Sequence, residues 1–419
     1  MTTRTVSPRA LAIEGGTPTR TAPWPTYDKG DRLLGEAEEA AAVRVIRSRR
    51  LFRYDTRPHS ETEVGRFEES FRGYCGSATA LAVSSGTTAL ALSLMAAGIG
   101  PGSRVACPVF TFAATPSAIL LSGAEPVLVP VDEDLHIDLD ALSRTVRNVD
   151  AVMVVHMRGA AEDMGAITAL ADQAGVPVFE DAVPALGVRL RGRHLGTFGL
   201  AGAFSTQSDK SINTGEGGVI VSDDLDLVAR ATVLAGAYEG RVRRHFASAE
   251  LDDLALPLYS FRMDELRGAL AAVQLDSLPL RLERLAANYA TISAELSDVE
   301  GIRVRRPIEG AVLGDALLLM IESGTAADAE WFARALRAEG IDARAFGDPT
   351  DRNVRAFWNW RFLEAATDDP KSRLASSARW VARTVDIPLS ASMDECDRSD
   401  LVSAVRLIAQ HLPPARGLS

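Results

Sequence analysis

Of the chain's 45 basic residues only Lys29, Lys210 and Lys371 are lysines. Arginine stays protonated, whereas an amine can lose its proton and attack an electrophile. Lys210 stands in "FSTQSDKSINTGEGG", after an apolar run and before a glycine turn. One strand–helix repeat earlier, the run "VPVFED" ends in Glu180 and Asp181. At the carboxyl end of a parallel strand such an acid faces the ligand crevice; an isolated pair would serve equally as a helix cap or a solvated strand end. A third group is "SSGTTAL", with Gly86, Thr87 and Thr88 at a strand-to-helix turn. Backbone N–H groups at a helix start, with nearby hydroxyls, hold a phosphate without a lysine, although the same residues are standard cap formers. Ser205, five residues before Lys210, adds another hydroxyl. Phe112, in "FTFAAT", follows a strand and either stacks on a planar ring or fills core.

A nucleophilic lysine and a buried acid that keeps a ring nitrogen protonated are the two requirements of pyridoxal 5′-phosphate (PLP) chemistry. The lysine condenses with the cofactor's aldehyde, and the acid lets the ring withdraw electrons. "GEGG" has neither P-loop nor dinucleotide spacing. It reads as a turn whose glycines permit close backbone approach beside the lysine. In "YEGRVRRHF", Arg241, Arg243 and Arg244 form a basic loop that could hold a nucleotide diphosphate, or a substrate carboxylate or phosphate, or face solvent. The six histidines show no ligand spacing with cysteines or acids, so no metal site is expected.

These residues need a scaffold that brings strand ends together. From about residue 78 to 225, short apolar runs alternate with helical stretches, as in "ATALAVSS", "GTTALALSLMAAG", "SRVACPVF" and "DAVMVVHM". Nearly continuous apolar strands indicate a mostly parallel sheet covered by helices on both faces, an α/β fold. "GGVIVSDD" reads as a further strand entered through the glycine turn. A long helix follows, with Asp264 as its N-cap and a kink expected at Pro279. The expected division is an N-terminal arm over 1–35, a large cofactor domain over 36–265, and over 266–419 the connecting helix with a smaller α+β domain. The arm, rich in Pro and Thr, is expected to lie extended over a neighbour.

Composition bounds the function. With 47% hydrophobic and 24% charged residues the chain is an ordinary folded protein. A net charge of −11 argues against nucleic-acid or anionic-membrane partners. No apolar stretch reaches membrane-span length, and the N-terminus lacks the apolar core of a signal peptide. Three scattered cysteines, Cys75, Cys107 and Cys396, suggest a reduced, cytoplasmic chain.

The chain resembles the DegT/DnrJ/StrS family of PLP-dependent aminotransferases of keto sugars and cyclitols, which have the type I, aspartate-aminotransferase-like fold. The motifs run in order through "LAIEGGTPTRTAPWP", "EVGRFEESFRGYCGSATALAVSSGTTAL", "GPGSRVACPVFTFAAT", "FEDAVPALG", "FSTQSDKSINTGEGG" and "YSFRMDEL", and the resemblance weakens after about residue 300. It implies that Lys210 is the covalent anchor and Asp181 the ring-nitrogen partner. It also implies that Phe112 stacks on the ring and that Thr87, Thr88 and Ser205 hold the phosphate. "YSFRMDEL" matches a segment that completes the site across a homodimer, which would send Arg262 into the neighbour's pocket and set Ser260 beside its phosphate, in place of the usual asparagine. Pro184 stands where the family usually has glutamine or histidine, and Thr206 where an aromatic is common. The retained Lys210 separates the chain from the dehydratase branch, which has histidine there. "LAIEGGTPTR" is similar to the branch of inosose aminotransferases and 3-amino-5-hydroxybenzoate synthase, which implies antibiotic-type biosynthesis. The expected activity is transfer of an amino group from glutamate or glutamine to a keto substrate, with small molecules as partners. Two alternatives are dehydration with aromatisation on a related substrate, and a cofactor-binding but catalytically silent partner protein.

Overall fold

The computed structural model describes residues 9–25, 33–244, 251–322, 324–363 and 374–412. Nine strands come first: β1 (Thr79–Val83), β2 (Arg104–Pro108), β3 (Glu125–Val129), β4 (Ala151–Val155), β5 (Val178–Asp181), β6 (Arg189–Leu190), β7 (Arg193–His194), β8 (Ala201–Ser205) and β9 (Gly218–Ser222). Among the described residues, seven of them form one sheet in the order β1-β9-β8-β5-β4-β2-β3, while β6 and β7 make a separate hairpin. Strand β9 runs antiparallel to both of its neighbours, and the other pairs are parallel.

Both faces of this sheet are covered, which explains the unbroken apolar runs. Met153, Phe179 and Ala203 point to the face packed by helices Gly86–Ala96 and Leu225–Ala235. Their chain neighbours Val152, Val154, Val178 and Phe204 point to the other face, against Ile167 on one side and Phe71 and Leu275 on the other. The period-two alternation of a strand separates them.

The smaller unit is an antiparallel sheet of β10 (Ile302–Val304), β11 (Ala316–Ile321), β12 (Arg344–Ala345) and β13 (Thr384–Pro388), in the order β10-β11-β13-β12. Leu317, Leu319, Val385 and Ile387 pack there against Phe332, Leu336, Leu401 and Val405 of two covering helices. The connecting helix spans Glu265–Glu295, and the Asp264 carboxylate caps it by accepting the Arg267 N–H at 3.0 Å. Pro279 lies within it. Proline removes the donor to Leu275, and beside that gap the Gln274 carbonyl accepts from Ser277 Oγ at 3.1 Å and from Arg281 at 3.3 Å.

The described part of the N-terminal arm corrects one expectation, because residues 9–25 lie on the smaller unit of their own chain. Leu11 is part of that unit's core. The buried Glu339 carboxylate accepts the Ala12 N–H, the Thr19 N–H and the Thr19 hydroxyl, each at 2.7 Å. A buried carboxylate needs donors, and the arm supplies them. Among the described residues no helix is long and apolar enough to cross a membrane.

Candidate active site

A cavity of about 570 Å³ opens at the carboxyl ends of β1, β4, β5 and β8 and is closed on its far side by β12 and β13. It gathers Gly86, Thr87, Phe112, Asp181, Ser205 and Lys210, residues that the sequence scatters over more than a hundred positions.

The helix Gly86–Ala96 aims its N-terminus at this cavity, where Gly86 and Thr87 form part of the wall. A helix start carries unsatisfied N–H groups and partial positive charge, which suits an anion. Close approach is enforced by glycine. A Cβ on Gly86 would lie 2.9 Å from the Ser205 Cβ, and one on Gly218 would lie 2.4 Å from the Ser85 backbone. Ser205 Oγ accepts the Gln207 N–H at 3.2 Å and donates to the Gly217 carbonyl at 3.3 Å. Thr88 has a different place from the one expected: its hydroxyl accepts the Ser85 N–H at 3.0 Å, and its own N–H donates to Ser85 Oγ at 3.1 Å. That reciprocal capping box turns Thr88 into the helix, away from the cavity wall.

The two adjacent acids part company. Glu180 is fully buried and accepts from the His156 ring at 3.0 Å, the Gly196 N–H at 2.8 Å and the Gly199 N–H at 2.7 Å. Asp181, on the opposite face of β5, lines the cavity, accepting the Thr115 hydroxyl at 2.7 Å and the Val183 N–H at 3.2 Å. Burial pushes the Asp181 carboxyl above the ordinary carboxylate range, against the pull of Thr115, Val183 and the Lys210 charge. A buried acid in that state is stabilised by one more positive donor, such as a ring N–H.

The loop carrying Lys210 is braced from within. Lys210 N–H donates to the Gln207 carbonyl at 2.9 Å, and the hydroxyls of Thr206 and Thr214 meet at 2.7 Å. Asn213 is clamped by Gln274 of the connecting helix through bonds of 2.7 Å and 2.6 Å. Thr206 is thus a buried brace of the loop. Phe112 is 46% exposed and lines the cavity, with the Arg355 guanidinium 5.8 Å from its ring centre.

Sequence reasoning missed the far wall, formed by Arg158, Asp315, Asp342, Arg344, Arg355 and Asp386. Arg158 follows β4 in a left-handed backbone conformation, φ 55° and ψ 34°, and its guanidinium reaches Asp386 of β13. Arg344 lies directly across the ladder from Asp386. With that carboxylate engaged by Arg158, the Arg344 side chain has no hydrogen bond or ion pair among the described residues, and Arg344 lines the cavity. No local pattern marks these residues in a chain that uses arginine for nearly all of its positive charge.

Besides Thr88, four expected substrate or phosphate residues lie outside this chain's own cavity. Arg262 donates to the Gly236 carbonyl at 3.0 Å and to Ser260 Oγ at 2.8 Å. Arg241 sits over the Tyr238 ring at 4.2 Å and pairs with Glu239 at 2.9 Å. Arg243 is exposed on the same turn, and the side chain of Arg244 lies outside the described residues.

The donor set fits PLP: a lysine and an acid in demand of a positive partner share the cavity with a helix start that glycines press against Ser205. Comparison with known proteins agrees. The model of the DegT/DnrJ/EryC1/StrS aminotransferase family matches residues 36–406. The L-glutamine:scyllo-inosose aminotransferase of Streptomyces griseus is 37% identical over 238 residues, 56% of this chain and 54% of that protein. The L-glutamine:2-deoxy-scyllo-inosose aminotransferase of Streptomyces paromomycinus is 30% identical over 428 residues, 96% of this chain and 98% of that protein. The fold is that of 3-amino-5-hydroxybenzoic acid synthase, with a TM-score of 0.80 and 24% identity over 94% of this chain and 100% of that one. The residues of the strand-end cavity fit PLP, and the chain is a member of the DegT/DnrJ/EryC1/StrS aminotransferase family.

Proposed function

We propose that this chain moves an amino group from glutamine or glutamate to the ketone of a polyhydroxylated ring, a cyclitol or related sugar, in antibiotic-type biosynthesis. The observation that carries this reading is the convergence of Lys210, Asp181 and the Gly86–Thr87 helix start on one cavity, in a chain matched almost end to end by a glutamine-dependent aminotransferase acting on a cyclitol ketone.

PLP, when bound, supplies an aldehyde that condenses with amines and a ring that draws electrons from the adjoining carbon. Lys210 would hold it through Nζ. As a free amine the same Nζ would move the proton at the donor's Cα, and in the second half the proton at the carbon that was the acceptor's ketone. Asp181 would keep a proton on the ring nitrogen, an interaction strengthened by its buried, low-dielectric setting. The N–H groups of Gly86 and Thr87, with Ser205 Oγ, would hold the phosphate, and Phe112 would flank the ring. Arg344, which lines the cavity, suits the donor's carboxylate, because a planar guanidinium takes a carboxylate through two parallel bonds. Arg262 and Ser260, lying outside their own cavity, support a homodimer in which each copy completes the other's site. Three unbridged cysteines support a cytoplasmic location.

The visible spectrum of the PLP-loaded protein tests this. Wild type should show the long-wavelength band of the lysine linkage, glutamine or glutamate should discharge it to the pyridoxamine form, and Lys210→Ala should never form it. A wild type that takes up no PLP when supplied would sink the reading. Retention of the band in the presence of every donor would favour non-transaminating chemistry.

A further inference from the structure

Between Ser205 and Lys210 the chain reads Thr-Gln-Ser-Asp. Gln207 organises this stretch. Its N–H donates to Ser205 Oγ at 3.2 Å, its main-chain carbonyl accepts the Lys210 N–H at 2.9 Å, and its side-chain oxygen accepts the Asp209 N–H at 3.0 Å. The other end of the same amide donates to Ser208 Oγ at 2.9 Å. The backbone of Asp209 is therefore fixed at a set place next to the lysine. Both Asp209 and Lys210 line the cavity. Asp209 is exposed, and its carboxylate has no hydrogen-bond or ion-pair partner among the described residues. Arg158, in the opposite wall, is engaged by Asp386.

We propose that Asp209 binds the hydroxyl on the carbon next to the acceptor's ketone, which selects an uncharged polyol ketone. This rests on the aminotransfer reading. The ketone carbon must reach the Lys210 amine, and residue 209, next in the chain and lining the same cavity, is placed to meet the ring carbon beside it. A carboxylate oxygen accepts an O–H through a short, charge-assisted bond, roughly twice as strong as a neutral one. The same charge repels any acceptor that would bring a phosphate to that place.

scyllo-Inosose and its analogue lacking the hydroxyls on both carbons beside the ketone provide the test, because 2-deoxy-scyllo-inosose keeps one of those two hydroxyls. Wild type, Asp209→Ser and Asp209→Asn are loaded with PLP and discharged with glutamine, and the return of the absorbance band is followed with each ketone. Calorimetry with scyllo-inositol, which cannot react, reads binding alone. Wild type should favour the fully hydroxylated ketone by about ten-fold or more, the scale of a hydrogen bond to a charged group. Both variants should lose that preference by slowing only the hydroxylated ketone, and inositol should bind them more weakly. An unchanged preference in the variants, or equal slowing of both ketones, overturns the assignment and leaves Asp209 a solvated acid or a brace of the loop. Should glutamine discharge the wild type while neither ketone restores it, the acceptor class fails, and the Asp209 assignment with it. Should glutamine fail to discharge it, the aminotransfer reading itself falls first.

Discussion

Neighbouring side chains in this protein take their chemistry from the face on which they land. Glu180 and Asp181 differ by one methylene and one position, yet one is saturated by three donors inside the protein while the other looks into the cavity. Burial acts on His194 in the opposite sense. It lowers the imidazole from 6.5 to about 4, and the charge of Arg189 adds to the effect. Between those two values the unfolded chain binds a proton that the folded chain refuses. This contribution is therefore intact above pH 6.5, falls as the pH drops toward 4, and changes little below that. His194→Phe keeps a ring against Tyr74, whose centre lies 4.9 Å away, and removes the titration. Its urea midpoint should fall less than that of wild type across this window; parallel curves would refute the assignment.

At the scale of elements, the proposed phosphate cradle depends on how tightly a helix start is pressed onto a strand. The contact at Gly218 is with the Ser85 backbone, which no rotamer change can relieve. Gly218→Ala should destabilise the fold by about 1–3 kcal/mol, the usual cost of overpacking, and should weaken PLP uptake measured by titration. Gly73, within the helix Glu63–Cys75, is the control, because a Cβ there meets nothing within 4 Å. Gly73→Ala should be neutral or slightly stabilising by urea denaturation, as alanine narrows the unfolded ensemble. Much of this was legible in the sequence. The "GEGG" glycines, the Ser85–Thr88 cap and the strand ending in Asp181 are all local patterns. The turn of the Thr88 hydroxyl into its own helix was not legible, because a cap and a phosphate ligand use the same residue types.

The whole molecule makes the cavity from two units. Arg305, in the smaller unit, is buried and donates to the carbonyls of Asp134 and Met157 at 2.7 Å and of Leu135 at 3.1 Å, holding the Met157–Arg158 turn against the far wall. Beyond one chain, Arg262 and Ser260 gain a role only if a second copy is present. Mixing Lys210→Ala with Arg262→Ala protomers tests this, since a mixed dimer would carry one site with both defects and one with neither. After subunit exchange, activity should recover to about a quarter of wild type if two inactive variants form a symmetric pair that shares sites. No recovery, with exchange verified by sedimentation of tagged copies, would mean that Arg262 serves its own chain.

What the sequence determined by itself is what short-range physics writes locally. Doubly covered strands, a capped helix start, a rare lysine and glycines where no side chain fits are each readable within a few residues. What only the tertiary structure decided is the rest of the cavity. Arg158 and Asp386 stand 228 positions apart, and neither has a neighbour in the chain that announces the other. Their pairing leaves Arg344, in the cavity wall, without an ion pair among the described residues, and the alternation of β5 splits two acids that the sequence shows side by side. Which charges meet, and which are left for a ligand, depends on distances that arise only when the two units close on each other.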